Sequence, residues 1–572
     1  MGRGRFFLAA LAILSVAGAI RVVLWRPYGL TGTLPEDGFI RLAGVVHVHT
    51  KLSDGGGSPE EVIAAAHRVG LGFLILTDHN SLDAKALEGY HENVLTLVGT
   101  EISTTAGHLL GLGMPDPVFR FSGDPVDALH DVRDLGGAAF AAHPSSPRED
   151  FRWTGWGLPG PWGIELLNGD SQWREAGWGA LLKTAALYRL NPRYALLGSL
   201  TSPSSTLEAW DRLLARRDVA GIAGADAHSR VPLGWRRSVR FPSYESLFDV
   251  ARTHVLLGEP LSGDAAKDGR VVLSALSRGR AYVGLDALAP AEGFSFTAVA
   301  IDGRRWTMGD TVAPEPQLQL RVAGPMPPRA RTVLLRDGQP LASAQGALVA
   351  TEPTPGVYRV EVRVPGWEIP WVLSNPIYVF PPEESVARAE RGAWPPEAPP
   401  PVATTTLDRF DGRSGFGAEF DSSSWMNARV ETARAGPEGR GAARMEFRLG
   451  VPRPDHPYVS CALVERRRRD LSGRKGLVFW LKGDRPYRVW VQVRDENPAS
   501  TDEGTEWWFA SVRTSEEWRR MAVPFAHLRT VNPNTDGRLD LDKVRRIVFV
   551  LDQGAVKPGT AGTIWISDLG VY

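Results

Sequence analysis

The spacing of apolar and polar positions along the chain changes near residue 290. Between residues 40 and 290, short apolar runs alternate with stretches of helical period, a pattern typical of a parallel α/β sheet or barrel. The strands are predicted at residues 42–48, 73–77, 94–103, 137–142, 163–167 and 220–224. Helices are predicted from Ser58, at 124–135 and at 206–217. Ser58, Pro59 and Glu61 form the start of a capping box, which fixes where the first helix begins.

After residue 290 the strands show period-two alternation, as at 294–301 and 357–364, which predicts all-β structure. Seven prolines between residues 381 and 401 predict a semi-rigid linker. Beyond it, further alternating strands between 476 and 567 predict a second all-β domain. The predicted organisation is an N-terminal targeting segment (1–30), an α/β domain (38–290), an Ig-like β-sandwich (291–380), a linker (381–403) and a jelly-roll domain (404–572).

The N-terminus has a short basic head, Met1 to Arg5, followed by an apolar run to Ile20. This pattern fits a cleaved secretory signal, with Ala17-Gly18-Ala19 as a cleavage site. It also fits an uncleaved anchor, because apolar residues resume at 22–25 and bring the run to about the length of a membrane span. Both alternatives predict export, to the periplasm, the extracellular space or a membrane surface.

Charge and cysteine content narrow the classes of partner. Lysine plus arginine and aspartate plus glutamate both number 65, so no basic excess indicates a nucleic-acid-binding surface. The single cysteine, Cys461, excludes an intrachain disulfide framework and a thiolate metal site.

Polar residues collect where the predicted strands end. Six of the 12 histidines lie at such ends, together with three carboxylates. These residues are His47, His49, Asp54, His79, Glu101, His108, His143, Asp226 and His228. The carboxyl ends of parallel strands converge on one mouth, where unpaired polar groups are costly unless a cation coordinates them. Imidazole and carboxylate donors predict two or three divalent ions of Zn, Mn or Fe and a hydrolytic activity.

The segments "HVHTKLSDG", "TDHN", "GTEIS", "GHLLGL", "AHP" and "GADAH" resemble the ordered motifs of the PHP (polymerase and histidinol phosphatase) superfamily. This resemblance covers residues 42–285 and implies a distorted (β/α)7 TIM-like barrel, followed here by two all-β sandwich domains. It implies one ion on His47, His49, Glu101 and Asp226, a second on Glu101, His108 and His143, and a third on Asp54, His79 and His228. In several relatives a histidine stands at the position of Asp54, so the third set departs most from the family.

The implied reaction is phosphoester hydrolysis by a metal-bound hydroxide, with Asp78, Asp226 and His228 as catalytic residues and Asp78 as a candidate proton donor. The segment "PWVLSNPIYV" (370–379) is similar to one in a carbaryl-hydrolase-like branch of PHP enzymes. That similarity keeps carbamate or carboxylic-ester hydrolysis open as the alternative.

Candidate substrate-binding residues lie on the loops near the predicted mouth. Lys51, Arg148 and Arg174 are candidate phosphate contacts, and Trp153 and Trp156 belong to an aromatic-rich stretch. Those aromatic residues form either a substrate wall or a lid packed on the barrel.

The C-terminal domain, from "FDGRSGFGAEF" to "TIWISDLGVY", resembles carbohydrate-binding-like jelly rolls, which implies a glycan partner. Its tryptophans, 480, 490, 507 and 508, are candidate sugar-stacking residues, although strand alternation predicts that most pack in the sandwich. A non-catalytic surface-binding protein therefore stays open beside the enzyme.

Overall fold

The computed structural model describes residues 16–175, 178–232, 237–412, 414–431, 435–501, 504–530 and 535–572. The described residues form two compact units. The first comprises residues up to Asp116 together with Ser122–Pro395, and the second comprises Pro117–Phe121 and Pro396–Tyr572.

The predicted targeting segment falls partly outside the described residues, which begin at residue 16. Residues 16–24 are helical. Across the described part of the chain, every helix is too short or too polar to cross a membrane.

The first unit contains strands throughout and helices mainly before residue 280. Its strands are β1 (Ile40–Val48), β2 (Phe73–Leu76), β3 (Gly89–His91), β4 (Val94–Val98), β5 (Thr100–Thr104), β6 (Gly107–Leu112), β7 (Ala138–Ala141), β8 (Trp162–Asn168), β9 (Gly221–Ala227), β10 (Val231–Pro232), β11 (Ser238–Val239), β12 (Arg252–Leu257), β13 (Ala281–Gly284), β14 (Ser295–Val299), β15 (Arg305–Thr307), β16 (Thr311–Val312), β17 (Gln319–Ala323), β18 (Arg331–Arg336), β19 (Gln339–Gln345), β20 (Leu348–Thr351), β21 (Gly356–Arg363), β22 (Val372–Ser374) and β23 (Ile377–Val379). Its helices are α1 (Pro59–Arg68), α2 (Pro125–Asp134), α3 (Gly169–Glu175), α4 (Trp178–Tyr188), α5 (Pro192–Leu197), α6 (Ser204–Leu214), α7 (Tyr244–Phe248), α8 (Ala265–Ser277) and α9 (Pro382–Gly392).

A closed barrel forms the centre of this unit. Strand β1 pairs in parallel with β2 and β9, and the parallel pairs β2–β4, β7–β8 and β8–β9 continue the circuit. Strand β6 is antiparallel to both β5 and β7. The capping box at Ser58 is present and starts α1, as the sequence predicts. The multidomain, sheet-rich architecture is confirmed, whereas the (β/α)7 designation stays a prediction, because β3, β4, β5 and β6 follow one another with no α-helix between them.

Apolar side chains fill the barrel and its wall, including Val46, Phe73, Leu95, Phe140 and Ile222. The sheet then continues past the barrel through the antiparallel pairs β1–β12, β12–β13 and β13–β22. Residues 291–380 thus share a sheet with the strands before residue 290. The domain boundaries drawn from the sequence stay predictions.

The proline-rich segment 381–403 begins with a helix, α9, rather than with extended chain. Proline is tolerated in the first helical turn, where a backbone N–H would have no partner within the helix. The negative charges of Glu383 and Glu384 in that turn interact favourably with the positive end of the helix dipole. The buried Arg388 donates hydrogen bonds to the Leu214 carbonyl (2.7 Å) and to Asp218 (2.9 Å), so α9 is held against the end of α6.

The second unit is a two-sheet β structure around one core. Its strands are β24 (Thr405–Asp408), β25 (Phe416–Phe420), β26 (Trp425–Glu431), β27 (Ala442–Arg448), β28 (Ser460–Glu465), β29 (Gly476–Gly483), β30 (Arg488–Glu496), β31 (Thr505–Arg513), β32 (Arg519–Pro524), β33 (Arg529–Thr530), β34 (Val544–Asp552) and β35 (Ala561–Val571). One sheet has the order β26-β27-β35-β29-β32, with β24 beside β35, and the other has the order β25-β28-β34-β30-β31-β33. Met445, Phe479, Leu463 and Phe549 bring both sheets into one buried cluster.

Asn375, in the segment "PWVLSNPIYV", ties β9 to β13. Its fully buried side chain accepts a hydrogen bond from the Gly221 amide (2.7 Å) and donates to the carbonyls of Gly221 (2.7 Å) and Ala281 (2.9 Å). Replacing it would leave three backbone groups without a partner. We expect Asn375→Ala to lower the free energy of unfolding by about 3 kcal/mol, measured by urea unfolding followed by circular dichroism. The exposed Gln339→Ala is the control, and an equal loss in both variants would contradict the role of the Asn375 side chain.

Candidate metal centre

The predicted strand-end histidines and carboxylates meet at one end of the barrel, where they form three adjoining donor groups. The innermost group consists of His47 from β1, His49 directly after β1, Glu101 from β5 and Asp226 from β9. All four are buried. The Nε2 atoms of His47 and His49 each lie 3.1 Å from Glu101 Oε2, and they lie 3.4 and 3.3 Å from Asp226 Oδ1.

These spacings fit one tetrahedral ion. Ligand atoms about 2.0–2.1 Å from an ion at the corners of a tetrahedron lie about 3.3 Å apart. The two Nε2 atoms are also buried without a hydrogen-bond partner, a costly condition that a coordinated cation would relieve. The innermost residues therefore fit a divalent metal.

The second group is organised by the other oxygen of Glu101. Glu101 Oε1 lies 2.6 Å from His108 Nδ1 and 2.7 Å from His143 Nε2. His79 joins this group through Nδ1, which is 3.2 Å from Glu101 Oε2. One buried carboxylate thus connects the first and second groups, as a bridging ligand does.

The third group is the most accessible. Asp54 Oδ1 lies 3.2 Å from His228 Nε2, 3.6 Å from His49 Nδ1 and 3.8 Å from His79 Nε2. The side chain of Asp54 is 49% exposed, that of His79 28% and that of His228 18%, against 0–7% in the innermost group. Exposure rises from the first group to the third, so solvent reaches the centre from the Asp54 side.

Unusual backbone conformations aim these ligands. His47, His143 and Asp226 have φ values of 67°, 30° and 49°, a region that residues other than glycine rarely adopt. The β1–β9 register shifts between Val46 and Val48, so His47 interrupts regular strand pairing. Strand alternation predicted that His47 and His49 converge. Their convergence is confirmed, but it occurs across this irregularity rather than along a regular strand.

Glu165, on β8, supports the innermost group from behind. Its Oε1 lies 2.6 Å from His47 Nδ1, and its Oε2 accepts hydrogen bonds from the His143 amide (2.7 Å) and from Asn168 Nδ2 (2.9 Å). A Cβ atom at Gly224 would lie 1.8 Å from Glu165 Oε1. The carboxylate therefore reaches His47 only because glycine occupies position 224. Such a partner fixes the tautomer and orientation of a ligating imidazole.

The segment Ser53-Asp54-Gly55-Gly56-Gly57 forms a close-packed loop that presents Asp54 to the third group. A Cβ atom at Gly56 would lie 2.3 Å from the Ser229 carbonyl oxygen, so this loop approaches the residues after β9 backbone to backbone. Asp78 holds the same loop by accepting hydrogen bonds from the Thr50 amide (2.8 Å) and from the hydroxyl groups of Thr50 (2.8 Å) and Ser53 (2.6 Å).

Asp78, predicted as a proton donor, is 3% exposed and belongs to none of the donor groups found among the described residues. Its carboxylate accepts hydrogen bonds from Thr50 and Ser53, which precede Asp54 in the chain. The structure therefore places Asp78 where it shapes the centre from outside.

The carboxylates and imidazoles shift one another's pKa values. Burial alone would raise the pKa of Glu101, but His47, His108 and His143 lower it well below its ordinary value. Burial would lower the pKa of His47, but Glu165, Asp226 and Glu101 raise it well above its ordinary value. The carboxylates are thus ionised at neutral pH, which is the state in which they bind metal ions.

The predicted substrate residues have different placements. Lys51 is exposed, with Nζ 3.9 Å from Glu61 Oε2. Arg148 is exposed and its guanidinium lies 5.0 Å from the centre of the Phe151 ring. The side chain of Arg174 lies outside what the structure describes.

The aromatic-rich stretch divides into a packed part and a part facing the centre. Trp153 is 1% exposed and makes an edge contact with Trp162 at 5.6 Å, which places it in the packed interior. Trp156 is half-buried. Phe151 lies 4.7 Å from the ring of His108 and 6.1 Å from that of His143, and so forms part of the wall of the second group.

A cavity of about 190 Å³ opens beside the centre. Asp226 and His228 form one wall, and Arg230 also borders it. The remaining lining is mainly apolar and includes Leu167, Leu196, Leu200, Phe241, Pro242 and Val250. Arg230 also donates a hydrogen bond to the Asp54 carbonyl oxygen (3.1 Å), so its positively charged guanidinium lies at the exposed side of the third group.

Sequence reasoning did not identify Glu165 and Arg230. Glu165 had a usable signal, because it is the single charged residue of the apolar strand "WGIELLN", and such a residue needs a buried partner. Arg230 follows His228, the last residue of the "GADAH" motif, by two positions.

Comparison with known proteins gave distant similarities. No family model matches the chain. An uncharacterized protein of Methanocaldococcus jannaschii is 29% identical over 117 residues, which cover 18% of this chain and 67% of that protein.

Two kinds of solved structure are similar to different parts of the chain. A two-domain protein from Bacteroides vulgatus, described as containing a predicted PHP-like metal-dependent phosphoesterase, aligns with 61% of this chain and 99% of its own, at 16% identity and a TM-score of 0.30. A family 11 carbohydrate-binding module from Clostridium thermocellum aligns with 30% of this chain and 96% of its own, at 17% identity and a TM-score of 0.24. At these values, the functional assignment depends on the side chains of this chain itself.

We expect Glu165→Gln to weaken binding of the tightest metal ion by about 10- to 100-fold, because the variant removes the negative charge that orients His47. Competition between the protein and a chromogenic zinc chelator measures this affinity, and the wild-type protein should bind at least two equivalents. The exposed Glu149→Gln is the matched control. Equal zinc affinity in wild type and Glu165→Gln would show that the carboxylate does not support the centre.

Proposed function

We propose that the chain is an exported, metal-dependent phosphoesterase with a di- or trinuclear centre. The observation that carries this proposal is the set of three adjoining donor groups, in which Glu101 joins the first two and His49 and His79 link them to the third. The innermost group is spaced for a tetrahedral ion. The proposed ligands are His47, His49, Glu101 and Asp226 for one ion, Glu101, His108 and His143 for a second, and Asp54, His79 and His228 for a third. Zn, Mn and Fe suit this mixture of imidazole and carboxylate.

Divalent ions at such a centre supply Lewis acidity toward a phosphoryl oxygen and activate water for in-line attack. The protein contributes a fixed arrangement: Glu101 is held between two imidazoles at 2.6 and 2.7 Å, and Glu165 locks His47. We propose Asp78 as a positioning residue, since its hydrogen bonds fix the loop that carries Asp54. Asp226 and His228 face both the ligand cluster and the cavity, as residues that contact substrate should.

Two arginines support a phosphorylated substrate. Arg230 lies at the exposed edge of the third group through its bond to Asp54, and Arg148 lies over Phe151 beside the second group. A guanidinium recognises phosphate oxygens by paired, charge-assisted hydrogen bonds. Exposed arginines on two sides of the centre favour an anionic substrate.

Carbamate or carboxylic-ester hydrolysis is the second candidate reaction of the same site. The observation that favours it is the apolar lining of the cavity beside Asp226 and His228, which suits an uncharged aromatic or aliphatic group. The same cavity also suits the leaving group of an aryl phosphoester, so the two reactions differ in the group that meets the ions.

We expect the Mn- or Zn-loaded protein to hydrolyse chromogenic phosphomonoesters or phosphodiesters above the rate of Asp226→Ala. Arg230→Gln should raise KM for phosphoesters about tenfold, because one charge-assisted hydrogen bond is lost. The assay is steady-state kinetics on four substrates: a phosphomonoester, a phosphodiester, an aryl ester and an aryl carbamate. The exposed Arg278→Gln, far along the chain from the centre, controls for removal of a positive charge.

Each outcome selects one function. Turnover of only the ester or carbamate would reject the phosphoesterase and support the carbonyl alternative. A chelator that lowers the melting temperature, with no turnover of any of the four substrates, would instead favour a metal-stabilised, non-catalytic binding protein.

We also propose that the second unit binds a glycan. One outer face of the sheet carries Trp490 beside Phe509 at 5.4 Å and Trp507 beneath the Arg494 guanidinium at 3.7 Å. Gln492, between Trp490 and Arg494, adds an amide to the same face. Aromatic rings with neighbouring amide and guanidinium groups suit stacking on sugars and hydrogen bonding to their hydroxyl groups. Trp508 instead packs on the core, and Trp480 lies on the other sheet of the unit.

We expect Trp507→Ala to weaken binding to any β-glucan that slows the wild-type protein in the gel by roughly 3- to 10-fold, because the variant loses one contact between a ring and a sugar. Affinity electrophoresis through gels that contain soluble β-glucans measures the change. Trp565→Ala, on the other sheet of the unit, is the control. If the two variants migrate like wild type in every gel, this face does not bind those glycans.

A further inference from the structure

The N-terminal helix (residues 16–24) exposes a stripe of apolar side chains. Four of its residues follow the spacing i, i+4, i+7 and i+8, which places them on one face of an α-helix. These residues are Val16, Ile20, Val23 and Leu24, and their exposed fractions run from 43% to 67%. A stripe of this spacing normally packs against a protein core, but in this helix it is Val22, on a different face, that is buried.

The end of this helix is fixed to the first unit between α4 and α5. Asn191 Nδ2 donates hydrogen bonds to the carbonyl oxygens of Val22 (3.1 Å) and Trp25 (3.0 Å). The ring of Trp25 also makes edge contacts with Tyr194 at 5.5 Å and with Trp367 at 5.9 Å. Because Asn191 lies in the short connection between α4 and α5, the apolar stripe adjoins those two helices.

Helix α4 exposes a second apolar stripe. Leu182, Ala185 and Ala186 have the spacing i, i+3 and i+4, and all three are exposed, Leu182 by 70%. Leu190, just after the helix, is exposed as well, whereas Thr184 faces inward and is buried. Adjoining exposed apolar side chains mark surfaces that bind a membrane or another protein.

The charges around the two stripes distinguish between these partners. Residues 16–34 and 178–200 contain no aspartate or glutamate, although the whole chain has 65. The same segments contain five cations, Arg21, Arg26, Lys183, Arg189 and Arg193. Arg193 pairs with Asp249 at 2.8 Å, and the other four are exposed. Two copies of such a surface would repel each other, whereas anionic lipid headgroups would attract it.

We propose that the stripes of the N-terminal helix and of α4 form one docking surface for the headgroup region of a bilayer that contains anionic lipids. Apolar side chains beside cations are the composition of helices that lie in that region. Trp25 and Tyr194, at the junction of the stripes, are residue types enriched at membrane–water interfaces. Residues 20–24 follow the candidate cleavage site at 17–19, so the docking surface persists whether or not a signal is removed.

The test locates single residues relative to the lipid in the full chain. The one native cysteine, Cys461, is fully buried, so an introduced exposed cysteine can be labelled selectively with an environment-sensitive fluorophore. The variants are Ile20→Cys, Leu182→Cys and Leu190→Cys. Vesicles of phosphatidylcholine and phosphatidylglycerol that contain a nitroxide-labelled lipid should quench the fluorophore at all three positions.

The charge dependence of docking is measured with the same probes. Lys183→Gln and Arg189→Gln, each added to Leu190→Cys, should lower the docking equilibrium constant, obtained from the quenched fraction, by about fivefold. Vesicles of phosphatidylcholine alone should quench the probe at Leu190→Cys less than the mixed vesicles do. Equal quenching in both kinds of vesicle would contradict attraction by anionic headgroups.

The matched control is Val349→Cys, an exposed aliphatic position on β20 of the same unit, which the vesicles should not quench. Equal quenching at Val349→Cys and Leu182→Cys would show adsorption without a defined surface and overturn the proposal. Quenching at Ile20→Cys alone would overturn it too, because α4 would then stay in water. A lipid-free blue shift of the Leu182→Cys probe that grows with protein concentration would assign the surface to a second copy of the chain.

Docking and catalysis are tested separately by this design. The probes report position relative to lipid, so a chain that hydrolyses none of the phosphoesters can still dock. A chain that hydrolyses them but leaves every probe unquenched would keep the proposed function and overturn the docking surface.

Discussion

The carboxylate of Glu101 is the constraint on which the rest of the centre depends. One oxygen lies 3.1 Å from the Nε2 atoms of both His47 and His49, and the other lies 2.6 and 2.7 Å from His108 and His143. These contacts require the ends of β1 and β7 and parts of β5 and β6 to lie next to one another. The closed barrel brings them together, because its strands begin apart in the chain and end at a common mouth.

Holding a buried carboxylate among imidazoles requires support beyond the ligands. Glu165 supplies it by contacting His47 and the amide of His143 at once, and Gly224 supplies the space by lacking a Cβ atom. The left-handed conformations of His47 and Asp226 are a cost that the surrounding sheet must offset. The arrangement of these side chains therefore depends also on residues outside the three donor groups, such as Glu165 and Gly224.

The local parts of this arrangement could be predicted from the sequence, whereas the parts that depend on distant contacts could not. Histidines and carboxylates at strand ends are adjacent to recognisable apolar runs, so the convergence of these side chains at one mouth could be predicted from strand order. Glu165 lies 118 residues from His47, and its role depends on a glycine at 224 that no local pattern marks. The sheet that continues from β13 into β22 also escaped prediction, since strand pairing across about 90 residues leaves no periodic signal.

Two buried carboxyl groups, Glu101 on β5 and Asp495 on β30, have pKa values that are shifted in opposite directions. Glu101 is surrounded by imidazoles, which lower its pKa well below its ordinary value. Asp495 faces Glu506 instead, and burial raises its pKa to about 6. Both are about 1% exposed, so burial does not distinguish them and the neighbours do. A buried carboxylate among imidazoles therefore stays ionised, whereas one opposite a second carboxylate is held closer to its protonated form. The neighbouring groups, more than burial, thus decide the charge of each carboxyl group.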